Sequence, residues 1–434
     1  MIINNSVPVL VLGATTHGAL GITRSLGELG VPVYSTYRDS PGPACFSRYC
    51  RERFRWSLSN SDAQSLPSLL RIGERIGRKT ILIPTWDETA VFVAEHRSQL
   101  ERWFVTPEQP KALPAELVSK KKMHWLATKH GIPTAKVTFP KSLHEVQAFA
   151  ERGTFPVMLK GIDGNRLYER SGKKMVIALS PSELLHWYRV LDSPGEPNLM
   201  LQEYIPAGPN TDWMFNGYFN EHSQCLMGIT GRKIRQTPVY TGMTSLGICE
   251  SNPTVFECTI RWMKQLGYRG ILDIGYRFDH RDGKYKVLDV NPRIGATFRL
   301  FVAQNGLDVA RALYLDLTGQ TVPSSTCVEG RKWMLELDLK SCLDYWRDGN
   351  LTLREWLRSL WRIEEFGYFR VGDLLPFWKF LGLAIRKFRA RHDFAASWAS
   401  ASSQETDQST AKACPTIESP IYCQGHAAGV EPNS

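Results

Sequence analysis

The stretch KYKVLDVNPRIGATFRLF, residues 284–301, decides how the chain reads. It begins as an apolar strand, places an acid and an amide two residues apart at Asp289 and Asn291, breaks at Pro292 and turns basic at Arg293. Residues i and i+2 of a strand share a face. Asp289 and Asn291 therefore lean one way, while Leu288 and Val290 point the other way, into a core. Two oxygen ligands side by side at a strand end suit a hard cation such as magnesium. An arginine just beyond suits the phosphate that such a cation accompanies. An Asx turn closing a hairpin, with Arg293 as a surface charge, accounts for the same residues. Taken alone, the stretch leaves both readings open.

The chain has 434 residues, 43% of them hydrophobic and 22% charged. That is enough for two or three domains with cores, and the balance is ordinary for a soluble protein. No apolar run is long enough to span a bilayer. The opening MIINNSVPVLVLG lacks a basic n-region and a small-residue cleavage site, so it reads as a first strand. Nine cysteines are scattered without a CxxC pair. This argues against a zinc site and a disulfide framework, and predicts a cytoplasmic protein. The net charge of +10 is spread over separate elements, SKKKMHWLATKH, GRKIRQ and FWKFLGLAIRKFRARH. No nucleic-acid-binding signature accompanies it, so no nucleic-acid partner is expected.

Along the chain, PVLVLG, ATTHGALG, ITRSLGELG and VPVYSTY read as a Rossmann-like βαβ opening. Its glycines Gly13, Gly18 and Gly21 do not match GxGxxG, and a tight turn needing small residues explains them better than a dinucleotide. TILIPTWDE is a buried strand whose Asp87 reads as a helix cap rather than a substrate contact. From about Lys120 the pattern becomes mixed α+β around antiparallel strands, with a strand lysine, Lys160, followed by the polar loop IDGNRLYERSGKKM. Alternation puts Lys233 and Arg235 on one strand face, which either lines a cleft or is solvated. Residues 331–372 read as further helices with many tryptophans. Residues 373–391 form a basic amphipathic helix carrying Lys379, Arg386, Lys387, Arg389 and Arg391. Such a helix either packs on the body or makes peripheral contact with a membrane surface. The tail from 399 has the composition of disorder.

Four stretches in this order, SKKKMHWLATKHGIP, FPVMLKG, LQEYIPAG…TDW and GILDIGYRFD…KVLDVNPR, resemble the ATP-grasp superfamily of carboxylate–amine ligases. The resemblance covers roughly residues 8–320. It implies a Rossmann-like pre-ATP-grasp domain at 1–115 and an ATP-grasp domain at 116–322. A helical C-terminal extension at 323–398 and a disordered tail at 399–434 would complete an α/β and α+β chain. It implies ATP and Mg2+ as cofactors, with Lys120 and Lys160 on the phosphates. Gln202, Glu203, Tyr204 and the Ile205 amide would hold adenine, and Asp212 the ribose. Asp273, Asp289 and Asn291 would be the magnesium ligands, and Arg293 would face the reacting groups. Lys233 and Arg235 would bind a substrate carboxylate or a phosphate. Relatives often carry glutamate where Gly275 and Asp289 stand, and the loop after Lys160 has fewer glycines than usual. With Arg166, Arg170, Lys173 and Lys174 that loop reads as a basic lid in preference to a solvated hairpin.

The reaction implied is attack of a carboxylate on the terminal phosphate of ATP, then displacement of phosphate by an amine. The partners are therefore ATP, a small-molecule or peptide carboxylate and an amine, with a homodimer as the default assembly. An ATP-grasp carboxylase or kinase, and a catalytically inert nucleotide-binding scaffold at a membrane, are the alternatives. The chain has no AMKM biotin-attachment motif, which lowers the carboxylase reading.

Overall fold

The structure, a computed structural model, describes residues 4–58, 62–173, 175–193 and 195–386. Lys174, Lys387, Arg389, Arg391 and the expected tail lie outside the described residues. Residues 1–380 make one compact unit, and residues 381–434 are assigned to a second.

Five strands, β1 (Val9–Leu12), β2 (Val33–Tyr37), β3 (Cys50–Arg55), β4 (Thr80–Pro84) and β5 (Phe104–Val105), form a parallel sheet in the order β3-β2-β1-β4-β5. Helices α1 (His17–Gly27), α2 (Asp62–Ile76), α3 (Asp87–Glu95) and α4 (Arg97–Leu100) belong to this part of the chain. The chain runs outward through β2 and β3 and returns to β4 on the other side of β1. The strand order therefore switches between β1 and β4, and sheets of this kind bind ligands at the carboxyl ends of such a switch point.

Helix α1 buries every residue from His17 to Leu26. Its glycines allow this. A Cβ on Gly18 would lie 2.8 Å from the Ala296 backbone, and one on Gly21 would lie 2.8 Å from the Phe298 and Arg299 side chains. The small residues of GATTHGALG thus serve close packing of a helix against the 295–299 segment.

Helices α5 (Leu113–Val118) and α6 (Lys120–Lys129) lead to a small antiparallel sheet. It contains β6 (Val137–Thr138), β7 (Val157–Gly161), β8 (Met175–Ala178) and β9 (Leu199–Glu203) in the order β6-β9-β7-β8. Helices α7 (Leu143–Arg152) and α9 (Pro181–Leu191) place Val146, Ala150, Leu184 and Tyr188 in the same core cluster as Val157, Leu159 and Leu201 of the sheet. The expected lid is instead a helix, α8 (Gly164–Ser171). Its Arg166 donates to the Glu196 carbonyl and its Arg170 to the Leu191 and Asp192 carbonyls. Both guanidinium groups are engaged by carbonyls of Leu191, Asp192 and Glu196, so the segment is a helix rather than the loop or hairpin expected.

The largest sheet has the order β14-β13-β10-β11-β12-β15-β16. Its strands are β10 (Asp212–Phe219), β11 (Cys225–Thr237), β12 (Met243–Cys249), β13 (Gly270–Asp279), β14 (Lys284–Asn291), β15 (Lys332–Met334) and β16 (Ile363–Phe366). One face, through Phe215, Leu272, Ile274 and Val290, packs in a cluster with Val255 and Trp262 of α10 (Pro253–Gln265). The other face contributes Met214, Tyr218, Ile229 and Ile271 to the cluster that contains α1 and α11 (Val309–Leu317). This shared core joins the parallel sheet to the rest. The C-terminal extension carries helices α12 (Asp338–Arg347) and α13 (Leu353–Ser359), and its strands β15 and β16 enlarge the sheet.

Candidate active site

Strands β13 and β14 pair antiparallel, with Asp273 opposite Asn291 and Gly275 opposite Asp289. Alternation along β14 puts Asp289 and Asn291 on one face, as the opening stretch implies, and the pairing sets Asp273 of β13 beside Asn291. The register shifts between Gly275 and Tyr276. This bulge alters the expected alternation: Val287 and Val290 are buried in the core, whereas Leu288 lines a pocket. The reading of Leu288 as a core residue is corrected by it.

That pocket lies between the small sheet and the large one. Met158 and Lys160 of β7, Met175 of β8 and Gln202 and Glu203 of β9 meet Ile205, Thr241, Arg277 and Leu288. Apolar walls with a few directed polar groups are what a purine base needs. The Glu203 carboxylate is held by Arg281 at 2.8 Å, by the Lys136 amide at 3.1 Å and beside Lys286 at 3.6 Å. Tyr204 is buried and does not line the pocket.

Two further expectations are corrected. Asp212 is buried and takes Arg277 at 2.8 Å and the Gln236 amide at 3.1 Å. It thus holds Arg277 instead of lining the pocket. Arg277 also donates to the Ile205 and Tyr240 carbonyls, at 3.2 and 2.8 Å. Arg235 does not share a face with Lys233, because β11 shifts register between them. Arg235 is buried against Asp338 at 2.5 Å and donates to Ser359. Lys233 instead donates to the Gly242 carbonyl at 3.0 Å. Burial pushes its ammonium below the ordinary lysine range, an effect that Asp212 opposes.

At the inner end of the cleft, charges converge. Lys120, at the start of α6, pairs directly with Asp289. Burial opposes the charge on Asp289, but Lys120 and Arg293 outweigh it and hold the carboxyl below its usual range. Asp273 goes the other way: burial raises it, Arg293 counters this, and Asp289 adds repulsion. Burial, with Lys120 as a like-charged neighbour, pushes Lys160 down to about 8. Asn291 donates to Asp273 at 3.4 Å and accepts from Arg293 at 3.2 Å. Two carboxylates and an amide oxygen form a hard donor set, and the repulsion between the acids is what a divalent cation relieves. The residues present therefore fit magnesium.

The alternation of β14 did not disclose Asp87. Arg293 Nε donates to its carboxylate at 2.8 Å. Asp87 sits in the first turn of α3, at the switch point between β1 and β4. Beside it Trp86, half exposed, lies against Gly13, where a Cβ would come within 2.7 Å of the indole. Only the position of Asp87 at a strand's carboxyl end hinted at this. Asn216, fully buried opposite Asp273, was also missed.

This arrangement is an ATP-grasp fold: two sheets with a pocket between them, preceded by a Rossmann-like unit. The chain is 23% identical to the D-aspartate ligase of Enterococcus faecium (strain Aus0004) over 323 residues, 71% of this chain and 76% of that protein. Its structure is similar to the biotin carboxylase of Campylobacter jejuni, solved with β,γ-ATP (TM-score 0.58, 15% identity, 74% of this chain and 72% of that one). It is also similar to the L-amino acid ligase of Bacillus licheniformis (TM-score 0.55, 13% identity, 72% and 75%). No family model matches the chain.

Proposed function

We propose that the protein is an ADP-forming ligase that joins an amino-acid or related carboxylate to an amine through an acyl phosphate. The observation that carries this reading is the convergence of Lys120, Lys160, Asp273, Asp289, Asn291 and Arg293 beside the pocket between the two sheets, which Lys160 itself lines. Phosphoryl transfer needs positioning and charge neutralisation more than a protein nucleophile. In this reading Gln202, Glu203 and Ile205 line the adenine end, while Lys160 and Lys120 meet the phosphates. Magnesium held by Asp273, Asp289 and Asn291 would neutralise phosphate oxygens. Lys120, resting on Asp289 in the free protein, keeps that carboxylate charged and would turn to phosphate when the cation takes its place. Arg293, steadied by Asp87, would stabilise charge developing at the transferred phosphoryl group.

The division of labour we propose assigns the carboxylate and amine to the switch point beside Trp86 and Asp87, and the nucleotide to the cleft after residue 116. Similarity to a D-aspartate ligase makes amino acids, acidic ones included, the first substrates to try. An ATP-consuming enzyme of this kind belongs in the cytoplasm. No described helix is long and apolar enough to cross a membrane. Of the two readings of 373–391, packing on the body is the one supported within the described residues, because Phe377 packs on the core and Lys379 lies over Phe46. The test is ADP release with magnesium from pools of amino-acid carboxylates and amines, with Lys160→Ala and Asp289→Ala alongside. Turnover that needs both substrates and vanishes in both variants supports the ligase. ATP hydrolysis that no carboxylate stimulates would overturn it.

A further inference from the structure

Helices α12 and α13 present an apolar face that the rest of the described protein leaves uncovered. Helix α12 turns Asp338, Ser341, Cys342 and Tyr345 inward. Its outer stripe is Leu339, Leu343 and Trp346, spaced i, i+4, i+7, with Trp346 67% exposed. Helix α13 buries no residue at all. Leu353 and Leu357 stand out from it, and Trp361 follows one turn later at 73% exposure. A groove of about 360 Å³ runs between the two helices, lined by Leu343, Trp346, Leu353 and Trp356 among others. A contiguous apolar face of this kind marks an interaction surface.

The rim decides what the surface meets. Asp338 is buried against Arg235, and Asp344 is paired with Arg347. What remains exposed is Lys340, Arg354, Arg358 and Arg362 against Asp348 and Glu355. These four cations against two acids leave the patch with an excess of positive charge, which an isologous dimer would set against itself. An anionic lipid surface instead accepts both components: leucine and tryptophan enter the headgroup–acyl boundary, and arginine and lysine meet phosphates.

We propose that the α12–α13 face docks the protein peripherally on an anionic membrane. This does not depend on the ligase reading, because docking is measured without nucleotide or substrate. Full-length protein is sedimented with vesicles of phosphatidylcholine alone or with phosphatidylglycerol added, at low and high salt. The expected result is binding that needs phosphatidylglycerol and weakens with salt. Combining Leu353→Ser, Leu357→Ser and Trp361→Ser should reduce that binding at least tenfold. Replacing Lys387, Arg389 and Arg391 by Gln should leave most of it. Absence of wild-type binding, undiminished binding by the serine variant, or loss confined to the glutamine variant would each overturn the proposal. So would light scattering that shows a dimer which the serine variant dissociates, since the face would then meet a second copy.

Discussion

The Arg293 guanidinium and the Asp87 carboxylate meet at 2.8 Å across 206 residues of sequence. The same guanidinium donates through Nη2 to the Asn291 side-chain oxygen at 3.2 Å. A residue of the parallel-sheet region thus fixes the orientation of an arginine that borders the metal-fitting cluster. Asp87→Asn keeps the shape and removes the charge, so Arg293 should lose its anchor. We expect kcat/KM to fall by roughly ten- to a hundredfold, the scale of a small misplacement of a reacting group. ATP affinity should stay near wild type. If ADP-release assays show an unchanged kcat/KM, Asp87 does not position Arg293 for the reaction.

Lys160 supplies a pH dependence. Its ammonium is pushed down to about 8 by burial and by Lys120. Below that pH it is charged and attracts phosphate, and above it the attraction is lost. ATP binding measured calorimetrically should therefore weaken as pH rises past about 8, by up to about tenfold per unit. Lys160→Arg keeps its charge over this range and should flatten the profile. A wild-type profile that is flat from pH 7 to 9 would count against a phosphate contact by Lys160.

Gly275 leaves a gap in the cluster. It pairs with Asp289, and a Cβ there would meet no atom within 4 Å. Gly275→Glu should fold normally and add a carboxylate beside Asp289. Manganese affinity, followed by electron paramagnetic resonance of the free ion, should rise by about tenfold, or ~1.4 kcal/mol. Weaker manganese binding by a variant with unchanged Tm would place Gly275 away from the cation.

Local alternation was enough to put Asp289 and Asn291 on one face, because a two-residue period needs no knowledge of distant strands, whereas Asp273, on the neighbouring strand, came from the resemblance alone. Alternation failed wherever register slipped. The bulge at Gly275 and Tyr276 turned Leu288 into the pocket, and the shifts in β11 separated Lys233 from Arg235. A bulge is set by pairing across strands, which one strand's pattern does not contain. Asp87 was read as a cap because its partner is remote in sequence. Strands β15 and β16 escaped notice among tryptophan-rich helices because they are only 3 and 4 residues long.

Arg235 now belongs to the scaffold. It is buried with Asp338, which also accepts from Ser245 at 2.7 Å. Arg235→Met leaves a buried carboxylate without its cation and should cost about 3–5 kcal/mol of stability. Adding Asp338→Leu should restore part of that loss. Urea denaturation measures both. A negligible effect of Arg235→Met on the midpoint would return Arg235 to the list of candidate ligand contacts.

Tyr240 links the extension to the pocket between the two sheets. Its ring meets Tyr345 of α12 edge-on at 5.1 Å, and its hydroxyl contacts Asp348 and Asn350 at 3.2 and 2.7 Å. Its carbonyl accepts from Arg277, and the next residue, Thr241, lines the pocket. Tyr240 holds φ at +64°, a left-handed conformation that costs about 1–2 kcal/mol outside glycine and persists only while neighbours hold it. Tyr345→Ala removes one of those neighbours. Nucleotide affinity should fall by roughly fivefold, on the scale of the ~1 kcal/mol that an aromatic pair contributes. Amide exchange across residues 238–243 should accelerate in the same variant. Should exchange there stay at the wild-type rate while affinity falls, the loss would have to act through some route other than the Tyr240 loop.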